Sequence, residues 1–374
     1  MPSPTRSAPA ALQGQRFTIG AHRYCAVRKL DTLGVGERIL ARAESPRAVG
    51  EWVLLKRLND SAQPGARKRL LEEAWLLGRL DHPNIARLVA VSPRARQPVL
   101  VMEYVEGLSL QRVLNRAARR RRPMSPRFSA YVVSQIADAL HAAHNLTDEE
   151  GHPLQLVHRD VSPRNIHLGQ QGEVKLMDFG AAFTVQPGRP VTQGGRVKGD
   201  LAYAAPEVLR HERPDARADQ FSLGLVLVEL LTNQYVLDAS WEHTPITLTG
   251  RLAKLAHKLK PEEPSWASPA ELAARAESIH PDLLARVMAS VPEPLKAIVD
   301  RVLRPRPEER YPSAAVMRDE LLAFLGEQGS VYGGREMMAE LRLLIARAPR
   351  WSAGVESTRE PIPAEFRRSH ARND

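Results

Sequence analysis

The stretch that decides the fold lies between His158 and Gly180. It begins with His158-Arg-Asp-Val-Ser-Pro-Arg-Asn165 and ends with Asp178-Phe-Gly180. Two carboxylates, Asp160 and Asp178, and the amide of Asn165 fall within this stretch. Binding and catalytic side chains concentrate on loops held by a rigid scaffold, and oxygen donors of these types suit a hard cation such as Mg²⁺. The stretch is therefore expected to form a functional site.

Further segments flank this stretch in a definite order. Upstream are Leu33-Gly-Val-Gly-Glu-Arg-Ile39, then Val53-Leu-Leu-Lys56, then Glu73 on a predicted helix ahead of His82-Pro-Asn84. Downstream is Ala205-Pro-Glu207. Each segment alone is weak evidence, because a Gly-x-Gly pair occurs in many loops. Taken together, their order and spacing indicate a single fold family.

In this order, the segments resemble the signatures of the eukaryotic-like (Hanks-type) bacterial serine/threonine protein kinases, in the subgroup whose catalytic loop reads HRDxSPxN. The resemblance covers about residues 17–325. It implies an α+β, two-lobed protein kinase fold with a small β-rich N-lobe, one main N-lobe helix and a larger α-helical C-lobe. It also implies transfer of the γ-phosphate of ATP, with Mg²⁺, to Ser or Thr of protein substrates.

On the nucleotide side, the resemblance assigns the phosphate contacts. Gly34, Val35 and Gly36 form the loop over the phosphates, because glycine lets backbone N–H groups approach without an obstructing Cβ. Lys56 is expected to contact the α- and β-phosphates and to be held in place by Glu73.

The adenine contacts follow from the same resemblance. Met102 is the gatekeeper, and Glu103 and Val105 belong to the hinge that bonds adenine through its backbone. Ala41 and Leu54 lie above the adenine ring, as its roof, and His167 lies beneath it. Leu54 stands where the family has Ala, and Ala41 stands where it has Val. A large-for-small and a small-for-large exchange together roughly conserve volume. The two changes are therefore expected to compensate each other and to leave the adenine pocket open. The third glycine of the loop is replaced by Ile39.

On the catalytic loop, the resemblance makes Asp160 the group that orients the substrate hydroxyl and accepts its proton. Asn165 and Asp178 are expected to bind Mg²⁺ through oxygen.

Two departures on the acceptor side bear on activity. Ser162 stands where the family has a Lys that touches the transferred phosphate, and Asp200 stands where it has the partner Thr. Arg164 is expected to supply the missing cation, with Lys198 as a second candidate. The departures also leave an alternative open, a pseudokinase that binds nucleotide or partners but transfers phosphate poorly.

The resemblance also assigns residues that regulate the predicted site or hold its segments in place. Arg159 is expected to pair with a phosphate on Thr192 in the activation segment, by charge-assisted hydrogen bonds. Glu207 and Arg310 resemble the buried pair that ties this segment to the lower lobe. Asp219 resembles the helix-start residue that holds the catalytic-loop backbone.

The resemblance implies a kinase domain at 16–325, with an N-lobe at about 16–105 and a C-lobe at about 106–325. Composition and periodicity predict a disordered tail at 1–15, and an amphipathic helix with a loose basic tail at 326–374. That helix is predicted from Arg335 to Ile345, with its apolar side chains on one side. His141 and His144, three apart on a helix, are read as surface and packing residues.

Charge and cysteine content limit the remaining classes. The net charge is +10, but only Arg119–Arg122 forms a dense basic run, so no nucleic acid partner is expected. Cys25 is alone and cannot form an internal disulfide. No apolar run approaches the ~20 residues that span a bilayer. A cytoplasmic location without membrane insertion is expected, with self-association for autophosphorylation.

Overall fold

The computed structural model describes residues 13–33, 36–44, 50–59, 65–94, 97–184, 199–237, 268–279, 281–327 and 329–346. The chain divides into two compact units: the first holds the described residues up to 81 together with 86–106, and the second holds 82–85 and 107–346. In the described part of the chain, no helix is both long and apolar enough to cross a membrane.

The first unit contains a six-stranded antiparallel sheet in the order β1-β2-β3-β4-β6-β5. Its strands are β1 (Arg16–Ile19), β2 (His22–Leu33), β3 (Gly36–Ala43), β4 (Trp52–Leu58), β5 (Leu88–Val91) and β6 (Val99–Glu103). Gly20 has a φ of 60° in the turn between β1 and β2, a conformation that glycine adopts without steric cost.

The register between β3 and β4 decides which side chains share a face. Leu40 lies opposite Leu54, and Ala41 lies opposite Val53. Directly opposed residues point to the same face of a sheet, and the next residue along points to the other. Ala41 therefore lies on the face away from Leu54, in a buried cluster that also contains Ile39.

This register corrects the expected adenine roof. The prediction that Ala41 packs beside Leu54 is wrong, because Leu40 takes that place. Ile39 is likewise a strand residue with no exposed surface, in the same cluster as Ala41. Leu40, one residue before Ala41, is therefore the β3 residue on the same face as Leu54.

Helix α1 (Ala66–Leu77) also belongs to the first unit. After Leu77, the amides of Arg79 and Leu80 bond to the carbonyls three residues back, at 3.0 and 3.3 Å, which tightens and ends the last turn. Glu73 is a buried carboxylate on this otherwise apolar face.

The second unit begins with a three-stranded sheet in the order β7-β8-β9, made by β7 (Gly107–Ser109), β8 (Ile166–Gly169) and β9 (Val174–Leu176). The rest is mainly helical: α2 (Leu110–Arg119), α3 (Pro126–His144), α4 (Pro206–Leu209), α5 (Ala216–Thr232), α6 (Pro269–Glu277), α7 (Pro281–Val287), α8 (Glu293–Val302), α9 (Ala314–Glu327) and α10 (Gly334–Ala346).

Helices α3 and α5 form the centre of this unit. Ser125 caps α3 by accepting a hydrogen bond from the Phe128 amide at 3.1 Å, and Asp215 caps α5 by accepting one from the Arg217 amide at 2.7 Å. Most side chains of α5 are buried on all sides, as expected for a helix surrounded by protein. Asp219 of α5 bonds to the loop that begins at His158, and His144 of α3 bonds to Asp219.

Helix α10 packs against α2 and α3. Glu340 accepts hydrogen bonds from the amide and the hydroxyl of Ser125, at 2.8 and 2.7 Å, and Gly334 lies so close to Gly172 that neither has space for a Cβ. The buried side chains are Met337, Met338, Leu341 and Leu344. Ile345, predicted on the same side, is instead 39% exposed.

Candidate active site

Lys56 and Glu73 form an ion pair in the first unit. The ammonium nitrogen of Lys56 lies 2.7 Å from both carboxylate oxygens of Glu73. The Glu73 side chain is 2% exposed and that of Lys56 is 17% exposed. A buried carboxylate needs such a partner, because an unpaired buried charge is costly. The predicted contact is confirmed, and it fixes the position of the lysine.

The catalytic loop is held by Asp219, at the start of α5. Its two carboxylate oxygens accept hydrogen bonds from the amides of His158 at 2.8 Å and of Arg159 at 2.9 Å. The prediction that Asp219 holds this backbone is therefore confirmed. Arg159 adopts a φ of 62°, which costs energy in a residue that carries a Cβ and which these bonds help to maintain.

His144 is a third partner of Asp219 that the sequence reading did not assign. Its Nε2 lies 2.8 Å from the carboxylate, and its side chain is 7% exposed. Burial raises the pKa of Asp219, but the hydrogen bond and charge of His144, together with His158, outweigh it and leave the pKa below its ordinary value. In the sequence, His144 is recognisable only as a histidine near the end of a predicted helix, three residues after His141. That spacing does not identify Asp219 as its partner.

Asp160 is oriented by two donors. One carboxylate oxygen accepts a hydrogen bond from the Asp200 amide at 2.6 Å, and the other accepts one from the Asn165 side-chain nitrogen at 2.8 Å. Burial raises the pKa of Asp160, and the nearby charge of Asp178 adds to the rise, while His158 and the two hydrogen bonds oppose it. The net direction is upward, so the carboxylate is a stronger base than an exposed aspartate.

Gly199 permits the contact between the Asp200 amide and Asp160. Its φ is 94°, and a Cβ at this position would approach the Arg159 carbonyl oxygen to 2.3 Å. Only glycine accommodates both the dihedral angle and the close approach.

Asn165 and Asp178 supply oxygen atoms in the same unit. The Asn165 side-chain nitrogen donates to the backbone oxygen and to the carboxylate of Asp160, at 2.9 and 2.8 Å. Its amide oxygen is therefore the atom left to act as a ligand. Asp178 has a φ of 64°, and one of its oxygens accepts a hydrogen bond from the Gly180 amide at 3.1 Å.

His158 and Phe179 pack edge to face in the second unit, with ring centroids 4.6 Å apart. His158 accepts a hydrogen bond from the Asp160 amide at 3.2 Å through Nδ1, and its Nε2 lies 3.3 Å from the Met177 carbonyl. The ring thus links the catalytic loop to the segment that carries Asp178.

Arg164 lies next to Asp200, with its Nε 3.7 Å from the carboxylate. The Arg164 side chain is 58% exposed. Ser162, by contrast, is fully buried, and in the described part of the chain its hydroxyl makes no hydrogen bond. Arg164 is therefore an exposed cation on this loop, whereas Ser162 has no exposed surface. Lys198, the second candidate cation, lies outside the described residues.

Arg159 bonds to the segment that follows Asp178-Phe-Gly180. Its Nε donates to the Ala181 carbonyl at 2.8 Å, and its guanidinium lies over the Phe183 ring at 5.4 Å. Thr192, its expected phosphorylated partner, lies outside the described residues.

The first unit contains most of the residues that were predicted to contact adenine. Val105 is 7% exposed, and within the described residues its amide and carbonyl make no hydrogen bond. The Glu103 amide, by contrast, donates to the Arg87 carbonyl at 2.9 Å. Met102 lies opposite Leu54 across β4 and β6.

Of four other predicted nucleotide contacts, the structure describes two. Gly36 begins β3, and Gly34 and Val35 lie outside the described residues. His167 is half-buried in β8, between Ser109 and Lys175 on the neighbouring strands.

The predicted buried ion pair of Glu207 and Arg310 is confirmed. The guanidinium nitrogens lie 2.7 and 2.9 Å from the two carboxylate oxygens, and the side chains are 4% and 0% exposed. This bidentate geometry is the strong form of the interaction. It attaches the segment around Ala205-Pro-Glu207 to the loop that precedes α9.

A family model described as the protein kinase domain matches residues 27–322. The chain belongs to the protein kinase domain family. The crystal structure of the Mycobacterium tuberculosis PknI kinase domain matches this kinase domain with a TM-score of 0.54 and 24% identity, covering 84% of this chain and 99% of that one. The predicted protein kinase fold is thus confirmed.

Curated relatives extend the comparison. This kinase chain is 35% identical to the tyrosine-protein kinase MasK of Myxococcus xanthus (strain DK1622), over 85% of this chain and 45% of that protein. It is 29% identical to the serine/threonine-protein kinase PknB of Mycolicibacterium smegmatis, over 83% of this chain and 44% of that protein. The chain therefore spans less than half the length of these relatives.

Proposed function

We propose that this kinase domain transfers the γ-phosphate of ATP to Ser or Thr residues of protein substrates in bacterial signalling. The observation that carries the proposal is the environment of Asp160. Its carboxylate is oriented by the Asn165 side chain and the Asp200 amide, and its pKa is raised by burial. A fixed carboxylate of increased basicity suits the orientation of a hydroxyl and the acceptance of its proton.

The residues present fit ATP with Mg²⁺. Asn165 directs its amide nitrogen to Asp160 and leaves an oxygen as a ligand, and Asp178 adds a carboxylate, so both supply the oxygen donors that Mg²⁺ prefers. When bound, Mg²⁺ neutralises charge on the phosphates. Lys56, positioned by Glu73, would contact the phosphates, and the backbone of Val105 would bond to adenine.

Regulation by phosphorylation is part of the proposal. Arg159 would pair with a phosphate on Thr192 and so order the activation segment. Its guanidinium already bonds to the Ala181 carbonyl at the start of that segment. Mass spectrometry of active protein tests this: phosphate is expected at Thr192, and active protein without it would contradict the assignment.

Tyrosine is the second candidate acceptor. The 35% identical relative is named a tyrosine-protein kinase. The resemblance also relates Arg164 to an arginine of receptor-type tyrosine kinases, and Arg164 lies on the catalytic loop beside Asp200. Against this stand the PknB relatives, named serine/threonine kinases. A third candidate, the pseudokinase, is motivated by Ser162 and Asp200.

Phosphoamino acid analysis separates these candidates. Purified protein is incubated with labelled ATP, Mg²⁺ and a mixed protein substrate, and the products are hydrolysed and resolved. We expect phosphoserine or phosphothreonine, and loss of both in Asp160→Ala. Phosphotyrosine alone would support the second candidate, and ATP binding without transfer would support the pseudokinase. Because ATP is the donor, we propose that the activity is cytoplasmic.

A further inference from the structure

Helix α10 lies beyond residues 27–322, the part of the chain that matches the protein kinase domain family. It nevertheless contacts the pair of strands that lies between the two predicted metal ligands. The contact joins Gly334, the first residue of α10, to Gly172, in the turn between β8 and β9. Asn165 directly precedes β8, and Asp178 follows the end of β9 by two residues. An element outside the matched region is thus connected to both ligands.

The strand pair is short, and a few backbone hydrogen bonds determine where the two ligands lie. β9 has three residues and is the edge strand of its sheet, and pairs of this size are not stable by themselves. The Met177 amide donates to the Asn165 carbonyl at 2.8 Å, and the Leu176 amide donates to the Asn84 carbonyl at 2.7 Å. A displacement of the turn would therefore act on the bonds directly beside Asp178.

The two glycines bring backbone against backbone. A Cβ on Gly334 would lie 2.5 Å from the Gly172 carbonyl oxygen, and a Cβ on Gly172 would lie 2.8 Å from the Gly334 carbonyl carbon. Backbone atoms cannot rotate away as the end of a side chain can. Gly172 is also required by its φ of 97°. Gly334 has no positive φ, so the close approach alone explains the glycine at this position.

Helix α10 is held against α3, so it resists movement away from the turn. Glu340 accepts hydrogen bonds from the amide and the hydroxyl of Ser125, at 2.8 and 2.7 Å, and a third from the Tyr332 hydroxyl at 3.1 Å. The backbone of Gly334 hydrogen-bonds to the side chain of Tyr131 in α3. Movement of α10 away from Gly172 would break these bonds.

We propose that Gly334 is a positioning residue for the metal site. Through Gly172 it holds the turn between β8 and β9, and thereby keeps Asn165 and Asp178 in the arrangement that binds Mg²⁺ with the nucleotide. Glu340 supports this role by fixing α10 on α3. The inference rests on the proposed kinase function, which assigns the two ligands. Gly334 acts through the turn and takes no part in the chemical step.

Gly334→Ala tests the contact without weakening the helix. Alanine is a better helix former than glycine, so a defect in this variant cannot come from unwinding of α10. Gly333→Ala is the matched control. It adds the same methyl group one residue earlier, where the nearest atom is a side-chain oxygen of Glu336 at 3.6 Å, an ordinary van der Waals distance.

Hydrogen exchange of the ligand-free proteins gives the first measurement. The amides of Leu176 and Met177 are protected by their bonds to Asn84 and Asn165, and they exchange when this segment opens locally. In Gly334→Ala they should exchange faster by about threefold or more, because the turn is displaced. In Gly333→Ala they should exchange as in the unaltered protein. Equal exchange in all three proteins would overturn the proposal.

Calorimetry with a non-hydrolysable ATP analogue gives the second measurement. The magnesium effect is defined as the Kd in EDTA divided by the Kd with Mg²⁺. In Gly334→Ala it should fall by about threefold or more, which is less than the loss of tenfold or more that follows removal of a direct partner of a metal ligand. The Kd in EDTA should stay unchanged, as should both values in Gly333→Ala. A lower Tm with an unchanged magnesium effect would show that the contact only stabilises the fold, and would overturn the proposal.

Glu340→Gln approaches the same contact from the other side. It keeps the size of the side chain but removes the charged acceptor of Ser125 and Tyr332, and it adds no atom beside Gly172. Faster exchange of Leu176 and Met177 and a smaller magnesium effect are expected again. If Gly334→Ala does not fold, these two measurements on Glu340→Gln decide, and unaltered values would overturn the proposal.

The outcomes for the proposed function are separate. An unaltered chain that shows a magnesium effect but transfers no phosphate would contradict the kinase function and leave the positioning role intact. An unaltered magnesium effect in both Gly334→Ala and Glu340→Gln, with phosphate transfer by the unaltered chain, would overturn only the positioning role. Equal Kd values with Mg²⁺ and with EDTA in the unaltered chain would overturn both the metal assignment and the inference.

Discussion

At the scale of single residues, the acceptor side of the site depends on the contact between Arg164 and Asp200. If Arg164 stabilises the transferred phosphoryl group, Arg164→Ala should lower kcat by roughly tenfold or more with little change in ATP affinity, which is the pattern of a group acting mainly in the transition state. Steady-state kinetics and calorimetric titration with ATP measure the two quantities.

Asp200→Asn is the matched variant for this test. It keeps the backbone amide that bonds to Asp160 and a side chain able to cap Ala202, but it removes the charge that competes for Arg164. We expect kcat to be maintained or raised. An Arg164→Ala protein with unchanged kcat would remove Arg164 from the mechanism.

The pH dependence of turnover follows from the raised pKa of Asp160. The proton acceptor must be ionised, so activity falls as pH drops through its pKa in the folded enzyme. Because burial raises that pKa, the acid limb of kcat/KM for the protein substrate should lie above the ordinary aspartate value of about 3.9. A pH–rate profile at saturating ATP checks this, and an acid limb below that value would contradict it.

At the scale of elements, the pairing of β3 with β4 places Ala41 and Leu54 on opposite faces of the sheet, so that the two residues are expected to have different roles. Ala41→Val adds volume to the closed cluster around Ile39, so it should lower the free energy of unfolding by about 1–3 kcal/mol and leave the ATP Kd unchanged. Leu54→Ala, on the opposite face with Lys56, should change the ATP Kd. Denaturant titration and calorimetry measure these effects, and weakened ATP binding in Ala41→Val would contradict the register.

The same pair of strands shows where sequence reasoning failed. Ion pairs such as Lys56 with Glu73 and Glu207 with Arg310 were predictable, because each joins two charges within recognisable motifs. Which β3 side chains lie on which face of the sheet was not predictable. A difference of one residue in the preceding turn moves every side chain of the strand to the opposite face. Motif spacing cannot report such a difference when the third glycine is replaced.

Partners within the helical unit were also only partly predictable. Asp219 follows from its place at the start of α5. His144 does not, since its role arises from how α3 packs against α5, and helical periodicity gives the buried face but not the neighbour. The docking of α10 depends on Glu340 reaching Ser125, a contact between residues far apart in sequence.

At the scale of the whole molecule, the central claim is that this kinase domain is catalytically active. The most direct measurement is transfer of labelled phosphate from ATP to protein, by the unaltered chain and by Asp160→Asn, with ATP binding measured on both. We predict transfer by the unaltered chain, and at least a hundredfold slower transfer by Asp160→Asn with ATP binding retained, on the order expected for loss of a proton acceptor. Equal transfer by the two proteins, or binding of ATP by the unaltered chain without transfer, would contradict it.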